Sequence, residues 1–125
     1  MIRNILVVMP AADSHRRQLE AAAPGAVFTY ASSPAEEDVA RADAIVGNIR
    51  PELLAHAKNL KLLQLNSAGS NPYLSLPAVC PGARLCCATG AYGLAISEHM
   101  MGVLLELMKK LALYRDNQFE GRWQD

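Results

Sequence analysis

The sequence predicts an α/β fold, in which a doubly wound parallel sheet of about five strands is followed by a long, protruding C-terminal helix. Three observations lead to this fold. Short apolar runs of the kind that form strands buried on both faces recur along the chain. They alternate with helical segments at short spacing, which is the pattern of a parallel sheet wound with helices. The last apolar segment is longer than a small domain needs. Right-handed crossovers favour the strand order 2-1-3-4-5.

Each predicted strand is an apolar run that a turn residue closes. Pro10 ends the first run and Gly47 the third, because proline and glycine interrupt regular structure. The predicted strands cover residues 2–9, 26–30, 44–47, 62–65 and 84–88. Capping and turn residues predict helices over about 14–22, from Ser33-Pro34 onwards, and from about Arg50 to Lys58.

The connection between the fourth and fifth strands is irregular. Residues 66–83 contain Pro72, Pro77, Pro81 and Gly82, and this spacing of prolines excludes a long helix. We therefore expect one face of the sheet to be short of cover.

The C-terminal helix is predicted over about residues 91–114. Its apolar residues cover far more than one stripe, so the helix should be buried nearly all round. Charged residues within the segment, such as Glu106 and Lys109, make a membrane span unfavourable. We expect the helix to pack against a second domain or another subunit, with residues 94–115 forming the contact of a homodimer.

The composition excludes several classes of function. Twelve Lys and Arg residues balance twelve Asp and Glu residues, so no basic field is present to attract nucleic acid. The apolar core of the N-terminus is short for a signal peptide. Cys80, Cys86 and Cys87 lack the spacing of a disulfide framework, and we interpret them as reduced, mostly buried thiols of a cytoplasmic protein.

Ligands of open parallel sheets bind outside the carboxyl ends of the strands, where this chain has four loops. Asn66–Ser70 has the most suitable composition, because small residues leave backbone amides uncovered. Successive amides at Ala68, Gly69 and Ser70 could form a nest for a carboxylate. An ordinary strand-to-loop turn is the alternative interpretation. The four loops cover residues 9–12, 47–49, 66–70 and 89–93.

Catalytic and metal-binding patterns are missing from the sequence. No Cys/His pair has metal-ligand spacing, and no GxSxG, Walker or GxGxxG motif is present. Gly90 and Gly93 at the start of the last helix are too few for a dinucleotide fingerprint. His99 follows Glu98 directly, but adjacent helical residues do not face each other, so we assign His99 no chemistry. We predict no catalytic, cofactor-binding or metal-binding residue in this chain.

Three segments together resemble the D-isomer-specific 2-hydroxyacid dehydrogenases, the family of the phosphoglycerate, glycerate and hydroxypyruvate enzymes. They are Asn66-Ser-Ala-Gly-Ser-Asn, Thr89-Gly-Ala-Tyr-Gly-Leu-Ala-Ile-Ser-Glu-His-Met and the tail Gln118-x-x-Gly-x-Trp123. The resemblance covers the whole chain. It implies a flavodoxin-like substrate-binding domain over residues 1–93, incomplete here, followed by an interdomain and dimerisation helix with its tail over 94–125. The NAD-binding Rossmann domain of the family would then be absent from this chain.

The resemblance also implies roles for particular residues. The backbone amides of Ala68 and Gly69 would hold the substrate carboxylate. Asn66 and Ser67 would shape the pocket, and the loop at Asn48-Ile49 would border the substrate. Ser70-Asn71 and Tyr92 depart from the residues that the family commonly has, so the resemblance leaves the identity of the substrate open.

The function expected from this resemblance is substrate binding within an NAD(P)-dependent oxidoreductase. The intact enzyme would move a hydride between the nicotinamide of NAD or NADP and a small 2-hydroxy or 2-oxo acid, and the 125-residue chain alone would be inactive. The alternative is a stand-alone carboxylate-binding or dimerisation module without catalysis. A receiver-like signalling domain is disfavoured, because Met9-Pro10 and Gly47-Asn48 stand where acidic residues would be needed.

Overall fold

The computed structural model describes residues 1–123 of the chain. The chain divides into two compact units, Met1–Thr89 and Gly90–Asp125.

The first unit is built on a five-stranded parallel sheet. The strand order is β2-β1-β3-β4-β5, which confirms the predicted fold class and order. Every strand is shorter than its apolar run, because the ends of the runs leave the sheet as loops. The strands are β1 (Asn4–Val7), β2 (Val27–Tyr30), β3 (Ala44–Val46), β4 (Leu62–Gln64) and β5 (Arg84–Cys86).

Helical segments connect successive strands. The segment that precedes β4 is a 3₁₀ helix at Pro51–His56 rather than an α-helix, and a 3₁₀ turn at Asn71–Tyr73 begins the connection to β5. The prolines of that second connection restrict its α-helix to a single turn, as the sequence predicts. The α-helices are α1 (Asp13–Ala22), α2 (Glu36–Arg41) and α3 (Leu76–Val79).

The main cluster of buried apolar residues lies on one face of the sheet. Leu6, Ile45 and Leu63 are neighbours in the strand register, and each is at most 1% exposed. Side chains from the connections between strands cover this face, among them Val39, Leu54, Tyr73, Leu76 and Cys80.

The opposite face of the sheet is open on the side of β4 and β5, while Val7 and Ala44 on the same face are buried. Gln64 is half-buried there, and Arg84 and Cys86 are exposed. The sequence predicts a poorly covered face because the β4–β5 connection lacks a long helix, but that connection packs on the covered face, where Leu76 belongs to the core. The face that is short of cover is therefore the one that carries α1.

The expectation that all three cysteines are mostly buried is wrong for Cys86, which is exposed.

Polar contacts hold α1 on the open face at its β2 edge. No residue of α1 is buried. The Arg16 guanidinium lies 4.5 Å from the centre of the Tyr30 ring, and the Tyr30 hydroxyl donates to Glu20 Oε1 at 3.2 Å. Tyr30 also stacks on Phe28, so this corner combines aromatic and charged contacts.

A carboxylate ties the start of β1 to the neighbouring strands. Asp43 Oδ2 accepts hydrogen bonds from the backbone N–H groups of Arg3 and Asn4, both at 3.0 Å. Lys61 Nζ donates to Asp43 Oδ1 at 2.5 Å and to the Met1 carbonyl at 2.9 Å. Asp43 is 8% exposed, so its charge is nearly buried but fully paired.

The second unit contains two consecutive helices, α4 (Gly93–Met108) and α5 (Leu111–Phe119). Together they correspond to the long predicted helix, which is interrupted at Lys109-Lys110. Lys110 has a left-handed backbone with φ of 53°, and its N–H donates to the Leu107 carbonyl at 3.3 Å. This bond joins the residue after the cap to the penultimate residue of α4, as in the usual left-handed helix ending. The break escaped prediction because lysine stands where glycine is usual.

Candidate functional site

The candidate site lies where β3 and β4 end at the same edge of the sheet. Gly47–Ile49 follows β3 and Asn66–Ser70 follows β4, and these two strands are paired in parallel. The Asn48 N–H donates to Asn66 Oδ1 at 2.9 Å, and the Asn66 N–H donates to Asn48 Oδ1 at 3.2 Å. The two loops are therefore joined by a reciprocal pair of hydrogen bonds between side chain and backbone.

Gly47 allows the first of these loops to leave the sheet. Its φ is +112°, and a Cβ placed there would lie 2.9 Å from Val8 Cγ2 and 3.1 Å from the Met9 nitrogen. Its N–H donates to the Gln64 carbonyl at 2.8 Å. Only glycine combines this backbone conformation with so close an approach to the end of β1.

Ser67 organises the second loop. Its hydroxyl lies 3.0 Å from the Gly69 carbonyl and 3.4 Å from Asn48 Oδ1. Its own carbonyl accepts a hydrogen bond from the Ala88 N–H at 2.9 Å, just beyond β5. The loop is thus fixed at its base and across to the ends of both neighbouring strands.

The backbone amides that follow Ser67 are the part of the site that is available to bind a ligand. Ala68 and Gly69 are exposed and Ser70 is half-buried. None of their three N–H groups donates a hydrogen bond to another described residue. Consecutive free amides in a turn can bind an anion. No residue from 62 to 83 is charged, so this loop offers dipoles and not a cation.

Ile49 does not form part of the exposed surface. It is 2% exposed and belongs to the hydrophobic core, which leaves Asn48 as the exposed predicted residue of this loop. The Tyr73 hydroxyl donates to the Ile49 carbonyl at 2.8 Å. Sequence reasoning did not single out Tyr73, and no local pattern marks it, because its partner lies 24 positions earlier in the chain.

The thiols of the first unit have different surroundings. Cys87 Sγ lies 3.1 Å from Thr89 Oγ1, and this hydrogen bond holds the pKa of the Cys87 thiol below its ordinary value. Burial raises the pKa of the Cys80 thiol, which lies 3.2 Å from the Ala57 carbonyl. All three cysteines are free.

Two structural features bear on the glycines at the start of α4 and on metal-ligating side chains. A Cβ added at Gly90 or Gly93 would meet nothing within 4 Å, so these glycines do not form the close-packed turn of a GxGxxG loop. Within residues 1–123, no group of three His, Cys, Asp or Glu side chains could hold a metal ion. No helix in the same range combines the length and apolar character that crossing a membrane requires.

Comparisons with known proteins give matches among solved structures. No protein-family model and no curated protein matches the chain. Among solved structures, a D-isomer specific 2-hydroxyacid dehydrogenase family protein from Aeromonas salmonicida subsp. salmonicida A449 matches all of this chain with 31% identity and a TM-score of 0.77. This chain is similar to the D-isomer-specific 2-hydroxyacid dehydrogenases. The resemblance indicated by the sequence motifs is confirmed.

Two further dehydrogenases match nearly the whole chain. Phosphoglycerate dehydrogenase from Lactobacillus plantarum is 25% identical over 97% of the chain, with a TM-score of 0.58. NAD-dependent formate dehydrogenase from Staphylococcus aureus, in complex with NAD, is 17% identical with a TM-score of 0.67, and that likeness shows the fold alone. The chain spans 42%, 40% and 43% of these three dehydrogenases.

Proposed function

We propose that this chain is the substrate-binding portion of an NAD(P)-dependent oxidoreductase. The intact enzyme would transfer a hydride between the nicotinamide and C2 of a small D-2-hydroxy or 2-oxo acid. The observation that carries the proposal is the run of free amides at Ala68, Gly69 and Ser70, held at the carboxyl end of β4. The similarity of the whole chain to 2-hydroxyacid dehydrogenases supports the choice of reaction.

In this proposal the chain contributes binding and orientation. The amides of Ala68 and Gly69 hold the substrate carboxylate, while Asn66 and Ser67 shape the pocket around it and the Asn48-Ile49 loop borders it. When several amides hold the carboxylate, the substrate presents its C2 carbon in a fixed direction, and this lowers the entropic part of the activation barrier. The nicotinamide would supply the hydride, and residues 1–125 provide no fingerprint loop for it. The chain alone should therefore be inactive.

The binding step can be tested on the 125-residue chain itself. Pyruvate is titrated into the ¹⁵N-labelled chain, and the amide resonances are followed by NMR. We expect the resonances of Ala68, Gly69 and Ser70 to shift most and to saturate. Propionamide, which has a similar size but no carboxylate, is the control ligand and should leave them in place. Unchanged resonances with pyruvate would contradict the proposed carboxylate site.

The activity of the chain is measured separately. Incubation with NADH and pyruvate should give no oxidation of NADH above the rate without protein. The alternative, a stand-alone carboxylate-binding module, predicts the same result from this assay. The two are distinguished by the reading frame, since the oxidoreductase requires a strand and a GxGxxG loop encoded together with these residues.

We further propose that the second unit forms a homodimer contact. Leu104 is 47% exposed, Leu107 is 72% exposed and Met108 is 67% exposed, and α4 as a whole buries none of its sixteen residues. An apolar helix of this kind is stable in water only when another surface covers it.

A cytoplasmic location is consistent with the three free cysteines.

Sedimentation equilibrium tests the dimer. Leu104→Glu together with Leu107→Glu should convert a dimer into a monomer, because two carboxylates would be buried without partners. Both side chains are exposed within the single chain, so these substitutions do not disturb its own core. Glu106→Lys, on the same helix, changes the charge without touching the apolar residues and should leave the dimer intact. A wild-type chain that is monomeric at all concentrations would contradict this contact.

A further inference from the structure

Tyr73 is the buried polar side chain that reaches the candidate site from the β4–β5 connection. It is 4% exposed and lies in the 3₁₀ turn that begins directly after Ser70. Its hydroxyl donates to the Ile49 carbonyl at 2.8 Å. Ile49 as a whole is 2% exposed, and a carbonyl in so buried a residue needs a donor from the protein.

The same residue is tied to the loop that carries the free amides. The Tyr73 N–H donates to the Ser70 carbonyl at 2.9 Å. Tyr73 therefore contacts both halves of the candidate site, with its backbone on the Asn66–Ser70 loop and its side chain on the Gly47–Ile49 loop. The Asn48 and Asn66 hydrogen bonds join the same two loops at the exposed end, so the loops are linked at two separate levels.

We infer that Tyr73 is a positioning residue of the carboxylate site, which sets where the amides of Ala68, Gly69 and Ser70 lie relative to Asn48. The inference rests on the proposed function. A turn without regular secondary structure keeps its amides aimed at one point only when its ends are fixed, and fixed donors bind an anion better than mobile ones. Tyr73 fixes the end at Ser70, and Asn66 with Ser67 fixes the beginning.

The protonation state of Tyr73 suits this role. Burial raises the pKa of its phenol above the ordinary value. The hydroxyl consequently remains a donor throughout the neutral range, and its hydrogen bond to the Ile49 carbonyl does not depend on pH there.

The test compares Tyr73→Phe with Tyr30→Phe in the 125-residue chain. Each change removes one phenol hydroxyl and keeps the ring, so the packing of the ring is retained. Tyr30→Phe is the control, because Tyr30 lies on the edge strand β2 and its hydroxyl donates to Glu20 of α1 and not to a site loop. The readouts are the amide resonances of Ala68, Gly69 and Ser70 without ligand, the affinity for pyruvate and the melting temperature.

We expect Tyr73→Phe to move or broaden the resonances of the loop amides and to weaken pyruvate binding about fivefold, the change that one ordinary hydrogen bond is worth. Tyr30→Phe should leave both readouts unchanged. A Tyr73→Phe chain that melts earlier but keeps wild-type loop resonances and affinity would overturn the inference, since the hydroxyl would then serve stability alone. If wild-type chain does not bind pyruvate, the proposed function fails, while the ligand-free resonances still decide the role of Tyr73.

Discussion

Asn48 and Asn66 each hold the other's backbone. The Asn48 N–H donates to Asn66 Oδ1 at 2.9 Å, and the Asn66 N–H donates to Asn48 Oδ1 at 3.2 Å. The two residues follow neighbouring parallel strands, β3 and β4, so the exchange fixes the spacing of the loops at the edge where a ligand would bind. Each of the two bonds joins both loops, so replacing either asparagine side chain would leave one bond between them.

Asn48→Asp separates the structural part of this exchange from its electrostatic part. The new carboxylate can still accept hydrogen bonds from the Asn66 N–H and the Ser67 hydroxyl, so we expect the free energy of unfolding to change by less than about 0.5 kcal/mol. Its negative charge would repel a bound carboxylate, and we expect the affinity for pyruvate to fall about tenfold or more. Titration followed by NMR measures it.

Asn59→Asp is the control for that experiment. The Asn59 amide donates to the Ala40 carbonyl, outside the candidate site, so its replacement should leave pyruvate affinity unchanged. Equal affinities of Asn48→Asp and wild type would show that no anion binds beside Asn48.

Gly47→Ala should be the most damaging glycine substitution in the site loops. The left-handed backbone alone costs a non-glycine residue about 1–2 kcal/mol, and the close contacts with Val8 and Met9 add about 1–3 kcal/mol of overpacking. Gly25→Ala is the matched control, because Gly25 has φ of +84° and open space around its Cβ position. Urea denaturation should show a larger loss of unfolding free energy for Gly47→Ala than for Gly25→Ala. Equal losses would show that the close contacts with Val8 and Met9 do not contribute.

Asp43 should make stability depend on pH on the acidic side. The hydrogen bond from Lys61, followed by those from the N–H groups of Asn4 and Arg3, holds the pKa of the Asp43 carboxyl well below its usual range. A lowered folded pKa stabilises the fold above the unfolded pKa of about 3.9, and this contribution is lost as the pH falls towards the folded pKa. The stability difference between wild type and Asp43→Asn should therefore be constant near neutral pH and shrink below about pH 4.

Urea denaturation across the acidic range measures this difference. Asp116→Asn is the comparison, because Asp116 pairs with Arg115 at an exposed position where an ion pair contributes little. A wild-type advantage over Asp43→Asn that stays the same down to the lowest pH would contradict the linkage.

Lys110→Gly should stabilise the junction between α4 and α5. Lys110 has a left-handed backbone, which glycine adopts without the steric cost of a Cβ, so we expect a gain of about 1 kcal/mol. Lys109 has φ of −92°, and Lys109→Gly should give no such gain. Thermal unfolding followed by circular dichroism shows whether Lys110→Gly raises or lowers the stability. In one continuous helix, Lys110→Gly would instead lose about 1 kcal/mol.

Local patterns were sufficient for the sheet and for the place of the site. The apolar runs around Leu6, Ile45 and Leu63 are short and are closed by turn residues, which favours buried strands over helices and marks the ends at which loops gather. Asn66–Ser70 was recognisable because small residues leave amides uncovered. The break at Lys110 was not recognisable, since its helix ending uses lysine in place of glycine.

The fold class, the loops at the carboxyl ends of the strands and the family resemblance could be read from the sequence, because they follow from short-range periodicity and local motifs. The strand order could be predicted as well, because the handedness of the crossovers leaves few arrangements. The tertiary structure alone decided that the open sheet face is the one with α1, that Asp43 anchors the start of β1, and that Tyr73 supports the Ile49 loop. Asp43 and Asn4 are 39 positions apart, and Tyr73 and Ile49 are 24 apart. Such contacts depend on how the chain returns to itself, which local sequence does not encode.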